Sequence, residues 1–423
     1  MPVDSASPDV QDALHAVVPD VQTLLDAVGC SRACPVGTDV RGMVVALSEG
    51  RYADAYRFAR SRNPFASTCG RVCDAPCQAS CLRAALDEPV QIRLLERFVC
   101  ELYGPESVQP AEFSLFCSAL YGFRRQSITT RRVAIIGAGP AGLTAAHDLA
   151  LMGHHCEVFE RLERPGGRLA AIPPSLLHPS VLDAEIAAIL RLGTTLHLST
   201  HVDPLAWAGL LEEGFDAVIV ATGGGESPSP SLGLFPAGNL VLGPSPFVHA
   251  IADGSRVARE VHAFLTGEHL QERQTAVLVP AEVRERVRPR SRPGGTAVRP
   301  PVVDLPAAGG EVLSIATSLS EADALAEAGR CVDCHRSAVI DAARCTACGI
   351  CVDICPEDAL SVVPESRVAF EGEAPSAHGL SVLLKDADRC TRCGWCSPAC
   401  PERAITVQVL EAARDVLPGE IQE

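Results

Sequence analysis

Nothing in this chain constrains its fold more than a run of cysteines that occurs twice. Cys345-x2-Cys348-x2-Cys351-x3-Cys355-Pro356 is repeated as Cys390-x2-Cys393-x2-Cys396-x3-Cys400-Pro401, and each copy leads into an Ala-Leu or Ala-Ile strand. A [4Fe–4S] cubane needs four converging thiolates. Three cysteines at two-residue gaps wrap one loop round a cluster, and the fourth, three residues on and before proline, points away to a neighbouring cluster. The pattern therefore predicts one set of Cys345, Cys348, Cys351 and Cys400, and another of Cys390, Cys393, Cys396 and Cys355. The duplication marks a compact module with pseudo-twofold symmetry. A pair of zinc sites is the bland alternative, disfavoured because zinc sites rarely use cysteines in this double pattern. Such a module has no substrate chemistry of its own and conducts electrons.

This run resembles the bacterial two-cluster ferredoxins over residues 340 to 408. The remaining totals set its context. A length of 423 residues corresponds to roughly two to four domains. The net charge of −16 argues against nucleic acid or an anionic membrane surface as the main partner. It suits a basic partner protein, or serves solubility alone. The 19 cysteines fall mostly in short-spaced groups, unlike a small secreted disulfide framework. Met1 to Asp20 lacks a charged region followed by an apolar one, so no signal peptide is expected. The apolar stretch from Val133 to Gly153 is interrupted by His147 and Asp148, so no membrane span is expected. The expected setting is a reducing cytoplasm, with thiolates held for metal.

Val133-Ala-Ile-Ile-Gly137-Ala-Gly139-Pro140-Ala141-Gly142 reads as a strand, a glycine turn and the opening of a helix. Gly137 permits the tight turn, Gly139 lets the backbone approach a pyrophosphate, and Gly142 permits close helix–strand packing. The helix N-terminus then turns its positive end toward the phosphates. Glu160 closes the next strand, Cys156 to Glu160, where it can accept from a ribose hydroxyl. Further on come Pro165-Gly166-Gly167-Arg168, Ala221-Thr222-Gly223 after a strand at Ala217–Val220, and Gly233-Leu-Phe-Pro-Ala-Gly238-Asn239 before a helix.

These blocks resemble the FAD domain of the glutamate synthase small subunit and of the N-terminal half of dihydropyrimidine dehydrogenase. The resemblance implies FAD, held by Gly137, Gly139, Pro140, Ala141, Gly142, Glu160, Arg161, Gly167, Arg168, Thr222, Gly223, Gly238 and Asn239. The family's last block normally ends Gly-Asp, whose carboxylate accepts a hydrogen bond from the flavin. Asn239 stands there in this chain, and its amide can still accept. Family members also insert a second Rossmann domain for NAD(P)H between the Ala-Thr-Gly strand and this block. Thr222 and Gly238 stand too close for a βαβ unit of about 30 residues, so that domain is expected to be missing. His249, near the expected flavin end of its helix, is a lesser candidate for a flavin contact.

Ahead of this domain lie Cys30-x3-Cys34-Pro35, a predicted helical hairpin (Val40 to Glu49, capped by Asp39, then Tyr52 to Arg60), and Cys69-x3-Cys73-x3-Cys77-x3-Cys81. Residues 28 to 100 resemble the helical Fe–S domain of the same family, which holds two [4Fe–4S] clusters. The resemblance implies Cys30, Cys34, Cys73, Cys77 and Cys81 as ligands, with Glu96, or else Cys69, in the place of the relatives' non-cysteine ligand. A Cys-x2-Cys found ahead of Cys30 in some relatives is absent. An orphan pair, Cys331 and Cys334, follows a predicted helix at Ser320–Gly329 and is expected to fold back and complete the set. A separate zinc knuckle with His335, or free thiols, is the alternative reading. Cys100, Cys117 and Cys156 stand alone and read as packing.

The expected fold class is multidomain α + α/β + α+β. It comprises a helical Fe–S domain over 1–125, a shortened Rossmann-like FAD domain over 130–275 and a linker with the returning cysteines over 276–335. A two-cluster ferredoxin domain over 336–410 and a tail over 411–423 complete it. The arginines from Arg284 to Arg292 read as an exposed linker or as a basic strip for an acidic partner. The expected function is an electron-transfer subunit carrying FAD and up to four [4Fe–4S] clusters in a hetero-oligomer, serving a catalytic oxidoreductase subunit or ferredoxin. An NAD(P)H- or ferredoxin-dependent oxidoreductase, with nicotinamide docking on the flavin or supplied by a partner, is the enzyme-class alternative. A scaffold with structural clusters is the third.

Overall fold

The computed structural model describes residues 14–16, 28–85, 87–108, 131–225, 227–228, 233–268, 270–280, 297–299, 302–306, 312–332, 334, 336–370, 380–386, 389–390 and 392–418. Cys117, His335 and the run from Arg284 to Arg292 lie outside them.

The N-terminal domain is helical: α1 (Gly29–Ala33), α2 (Val40–Ser48), α3 (Tyr52–Arg60), α4 (Ala66–Val72), α5 (Pro76–Ala79) and α6 (Ile92–Tyr103). Asp39 caps α2 by accepting from the Gly42 N–H at 2.8 Å. The face of Val40, Met43, Val44 and Leu47 is buried, as its spacing predicts. Gly50 then turns the chain at φ +73°, a backbone region that glycine enters without strain. The hairpin of α2 and α3 packs on α6, with Tyr52 edge-on to Phe98 at 5.8 Å. Gly70 lets α4 lie directly on α6, where a Cβ would come within 2.6 Å of the Arg97 amide nitrogen.

A short strand, β1 (Leu14–Ala16), pairs in parallel with β12 (Val368–Phe370). The central domain is a parallel sheet in the order β4-β3-β2-β5-β6. Its strands are β2 (Arg132–Ile136), β3 (His155–Phe159), β4 (Thr195–His197), β5 (Ala217–Val220) and β6 (Leu234–Pro236). Helices α7 (Pro140–Leu151) and α8 (Pro179–Leu190) follow β2 and β3. Two short helices, α9 (Gly209–Glu212) and α10 (Asn239–Leu242), precede the long α11 (Phe247–Thr266). Val133, Ile135, Val218 and Ile219 are fully buried, as parallel strands covered on both faces require. The sequence predicts the last helix only from Val257, yet α11 begins a full two turns earlier, at Phe247. Gly254 reads as the end of the block that precedes that helix. It is instead the crossing point with α7, where its missing side chain leaves room for the Thr144 Cβ, 2.8 Å from where its own Cβ would lie.

In the C-terminal module β10 (Arg336–Ile340) pairs antiparallel with β14 (Ile405–Pro418), and β11 (Leu360–Pro364) with β13 (Ser381–Lys385). The helices α13 (Ile350–Asp353) and α14 (Cys396–Ala399) sit inside the two cysteine runs. The segment expected as a linker contains the end of β7 (Leu270–Pro280), a hairpin of β8 (Val302–Pro306) and β9 (Val312–Ala316), and α12 (Glu321–Ala328). The stretch from 411, expected as a tail, continues as strand to Pro418 and pairs with β7. Distant strand pairing of this kind leaves no local signal in the sequence.

The helical and Rossmann-like domains share one core, in which Val36, Phe65, Cys69 and Cys73 pack with Ile135, Leu143 and Val248. Across this junction Glu185 of α8, fully buried, accepts from the Ser67 N–H at 2.7 Å, the Thr68 N–H at 3.2 Å and the Thr68 hydroxyl at 2.6 Å. Burial pushes the Glu185 carboxyl up to about 8, against the pull of these donors. An ordinary unfolded glutamate titrates near ~4.3, so the folded chain holds the extra proton in between and loses stability as pH rises through that window. Thermal unfolding followed by circular dichroism is expected to show this decline between about pH 5 and 8, and Glu185→Gln to flatten it. Glu185→Ala strands buried N–H groups and is expected to cost roughly 1–3 kcal/mol for each.

Candidate cofactor cleft and metal centres

The carboxyl ends of the parallel strands open into a cleft of about 730 Å³. It is lined by Gly137, Gly139, Pro140, Ala141, Glu160, Arg161, Gly167, Arg168, Thr222, Gly223, Gly238 and Asn239, all expected from the sequence. Gly142 is the exception: it lies under the turn, where a Cβ would strike the Gly137 carbonyl oxygen and sit 3.2 Å from Ile135 Cγ2. Its role is the close helix–strand packing read from its position in the motif. Gly137 turns at φ +106°, and a Cβ there would lie 2.5 Å from the Ala221 carbonyl oxygen. Gly139 faces open space, so backbone, not side chain, meets a ligand at the start of α7.

Glu160 is buried, and its two carboxylate oxygens accept from the Ala138 N–H at 2.8 Å and the Leu162 N–H at 3.0 Å. These bonds fix the carboxylate at the edge of the cleft with acceptor capacity to spare for a ribose hydroxyl. At the other end Arg168 donates to the Ser245 carbonyl at 3.0 Å and to Asn239 Oδ1 at 2.8 Å, while the Asn239 amide nitrogen donates to the Gly243 carbonyl and Ser245 Oγ. The Asn239 oxygen is thus already engaged by Arg168. His249 is exposed and does not line the cleft. Volume, glycine cradle, anchored carboxylate and flanking arginines fit an adenine dinucleotide such as FAD.

A small cavity in the helical domain is lined by Cys34, Cys69, Cys73, Cys77, Asn63 and Glu96, with Val248 of α11 on its wall. Glu96 faces this cavity, and burial, then the neighbouring Cys73 and Glu185, raise its carboxyl well above the ordinary range. The Cys69 thiol donates to Cys73, which holds Cys73 low and Cys69 high. The other thiols gather beside it. Burial first, then Cys334 and Cys81, push the Cys30 thiol up to about 12. Cys331 packs on the same core as Cys30 and Cys81.

The returning segment is held there by a buried ionic network. Arg330 donates to Glu327 at 2.6 Å, to Asp87 at 3.0 Å and to the Glu88 carbonyl at 2.5 Å. Arg83 donates to the Arg330 carbonyl at 3.1 Å and to Asp87. Fully buried Glu327 accepts from the Gln91 and Val298 N–H groups. Each charge is paired and hydrogen-bonded, the condition under which burial is tolerated.

In the C-terminal module Cys345, Cys348, Cys351 and Cys400 line one cavity, and Cys355, Cys390, Cys393 and Cys396 line another. This is the crossed grouping that the spacing predicts. Burial and the thiols of Cys390, Cys393 and Cys351 push Cys396 up to about 12. Among the described residues no three His, Cys, Asp or Glu side chains converge on a single metal ion. A cubane, unlike one zinc ion, spreads its ligands round a wider body.

Sequence reasoning missed Asp253 and Val248. Asp253 accepts from the Gly238 N–H at 2.6 Å and from Arg256 at 2.6 Å, so it holds the Gly238 turn at φ +67°. Neither carries a local signal, because each acts through a contact distant in the chain.

Three family models match in succession. They are the dihydropyrimidine dehydrogenase domain II, 4Fe-4S cluster over residues 26–106, an NAD(P)-binding Rossmann-like domain over 135–201, and a 4Fe-4S dicluster domain over 344–404. The beta subunit of NADP(+)-dependent formate dehydrogenase from Moorella thermoacetica is 38% identical over 205 residues, covering 46% of this chain and 29% of that one. Subunit PreT of the NAD-dependent dihydropyrimidine dehydrogenase of Escherichia coli is 35% identical over 200 residues, covering 46% and 45%. The small chain of glutamate synthase [NADPH] from Bacillus subtilis is 33% identical over 208 residues, covering 48% and 40%. The chain spans less than half the length of each of these relatives. Among the described residues no helix is long and apolar enough to cross a membrane. The chain therefore joins a dihydropyrimidine dehydrogenase-type 4Fe–4S domain, a Rossmann-like dinucleotide-binding domain and a 4Fe–4S dicluster domain, and its homologues include glutamate synthase small chains and PreT subunits.

Proposed function

We propose that this protein is an electron-transfer subunit that carries FAD in the central cleft and [4Fe–4S] clusters in its cysteine cavities, working in the cytoplasm beside a catalytic oxidoreductase subunit or ferredoxin. One observation carries the reading. The first turns of α11 separate the two kinds of site: Val248 walls the cavity of Cys34, Cys73 and Cys77, and Ala250 lines the dinucleotide cleft. A flavin exchanges electrons in pairs on one side and singly with clusters on the other. The chain's own part is placement. Glu160 holds the ribose end, the glycine turn and the start of α7 receive the diphosphate, and Asp253 fixes the Gly238 turn at the opposite end. In this reading the organic substrate is handled by the partner chain.

In the helical domain the proposed ligand sets are Cys30, Cys81, Cys331 and Cys334 for one cluster, and Cys34, Cys73, Cys77 and Glu96 for the other. The Cys69 thiol, which donates to Cys73, then supports a ligand and is not one itself. The same family model that matches the central domain supports a second reading, in which NAD(P) itself occupies the cleft.

The dinucleotide released from anaerobically purified protein by heat separates these readings, with FAD expected and NAD(P) contradicting the proposal. Gly137→Val, which fills the turn against Ala221, is expected to leave the protein without yellow chromophore while its iron remains. Changing Cys331 and Cys334 together to Ser is expected to remove about four irons per chain. Unchanged iron would exclude those two residues as ligands. Bleaching of the flavin by NADPH or NADH without any partner would favour the oxidoreductase alternative.

A further inference from the structure

The two cysteine cavities of the C-terminal module are twins in ligand pattern and unlike in charge. The loops match closely: Ala347 and Arg392 occupy corresponding positions and share a left-handed backbone, φ +52° and +60°. Around the cavity of Cys345, Cys348, Cys351 and Cys400 stand Ala347, Ile350 and Leu383, with Glu402 as the charged side chain on its wall. Around the cavity of Cys355, Cys390, Cys393 and Cys396 stand Lys385 and Arg392. Lys385 closes β13, half-buried, and its ammonium donates to Ser337 Oγ at 2.8 Å and to the Ala338 carbonyl at 3.0 Å. Those bonds hold the charge on the cavity wall that it shares with Cys390 and Cys396. Arg392 is tethered to the Cys390 carbonyl at 3.1 Å.

We propose that Lys385 sets the reduction potential of the cluster held by Cys355, Cys390, Cys393 and Cys396, and makes it the higher-potential, electron-collecting member of the C-terminal pair. One-electron reduction adds a negative charge among the four sulfurs and makes or breaks no bond. A fixed cation nearby stabilises that added charge, and the Glu402 carboxylate beside the other cavity opposes it. Exposure of Cys348 and Ile350 beside the first cavity works the other way, because nearby water also stabilises added charge. The half-buried cations prevail: they are held at the cavity by hydrogen bonds and are screened less than an exposed group. Lys385 touches no substrate; it positions charge.

This inference rests on the reading of the cavities as cluster sites, and the two fail differently. An iron-free wild-type chain defeats the reading, whereas an iron-loaded chain with unmoved potentials defeats only the inference. The test is a potentiometric titration of the anaerobic full-length protein, poised with dithionite and followed by electron paramagnetic resonance. Lys385→Gln is expected to make reduction of one component at least tenfold less favourable, about 59 mV lower for one electron. Lys385→Arg, which keeps the charge, is expected to restore it. All components unmoved in an iron-loaded Lys385→Gln protein would overturn the proposal. A second measurement needs no change at Lys385. The component lost in Cys393→Ser is expected at higher potential than the one lost in Cys348→Ser, and the reverse order would overturn the proposal.

Discussion

The structure depends on bringing thiols together out of water. Cys30, Cys77 and Cys396 are all raised by burial and by the thiols around them, so each cavity is costly to ionise unless a multivalent cation replaces the protons. In the helical domain the thiol cavities adjoin an apolar core that includes Met43, Leu47 and Phe98. The helices α1 and α5 of this domain are short, and the segment of Cys331 and Cys334 that joins it follows the Rossmann-like domain in the chain. With the proposed clusters bound, these requirements become cohesion, because the cysteines of each cavity come from elements far apart in the chain.

The same arrangement explains how the domains are joined. Glu185 and the shared core of Phe65, Leu143 and Val248 dock the helical domain on the Rossmann-like domain without a linker's freedom. The network of Arg83, Asp87, Glu327 and Arg330 then locks the returning segment in place. Rigid placement matters for a conductor of electrons, since transfer rates depend on fixed separations between centres. The helix α11 serves both ends: Gly254 seats it on α7, Asp253 holds the Gly238 turn, and Val248 reaches the cysteine cavity.

Much of this was legible in the residues, because it is written in local patterns. The Asp39 cap, the hairpin of α2 and α3, the strand at Ala217–Val220 and the crossed cysteine sets all follow from spacing over a few positions. Twelve of the expected cleft residues meet because a glycine turn after a parallel strand has few ways to fold. The rest is long-range. The pairing of β14 with β7, the Glu185 bridge and the grip of Asp253 on Gly238 join residues with no mark of each other in sequence. Asn239 lines the cleft where likeness puts a flavin contact, and Arg168 orients its amide oxygen, which keeps a second lone pair.

The central claim is that flavin and clusters exchange electrons within this one chain. The most direct measurement is photoreduction of the bound flavin in anaerobic full-length protein, with rapid freezing and electron paramagnetic resonance of the clusters. The account predicts signals of reduced clusters growing as the reduced flavin reoxidises, in the absence of any partner. A flavin that stays fully reduced beside clusters that remain oxidised would contradict it.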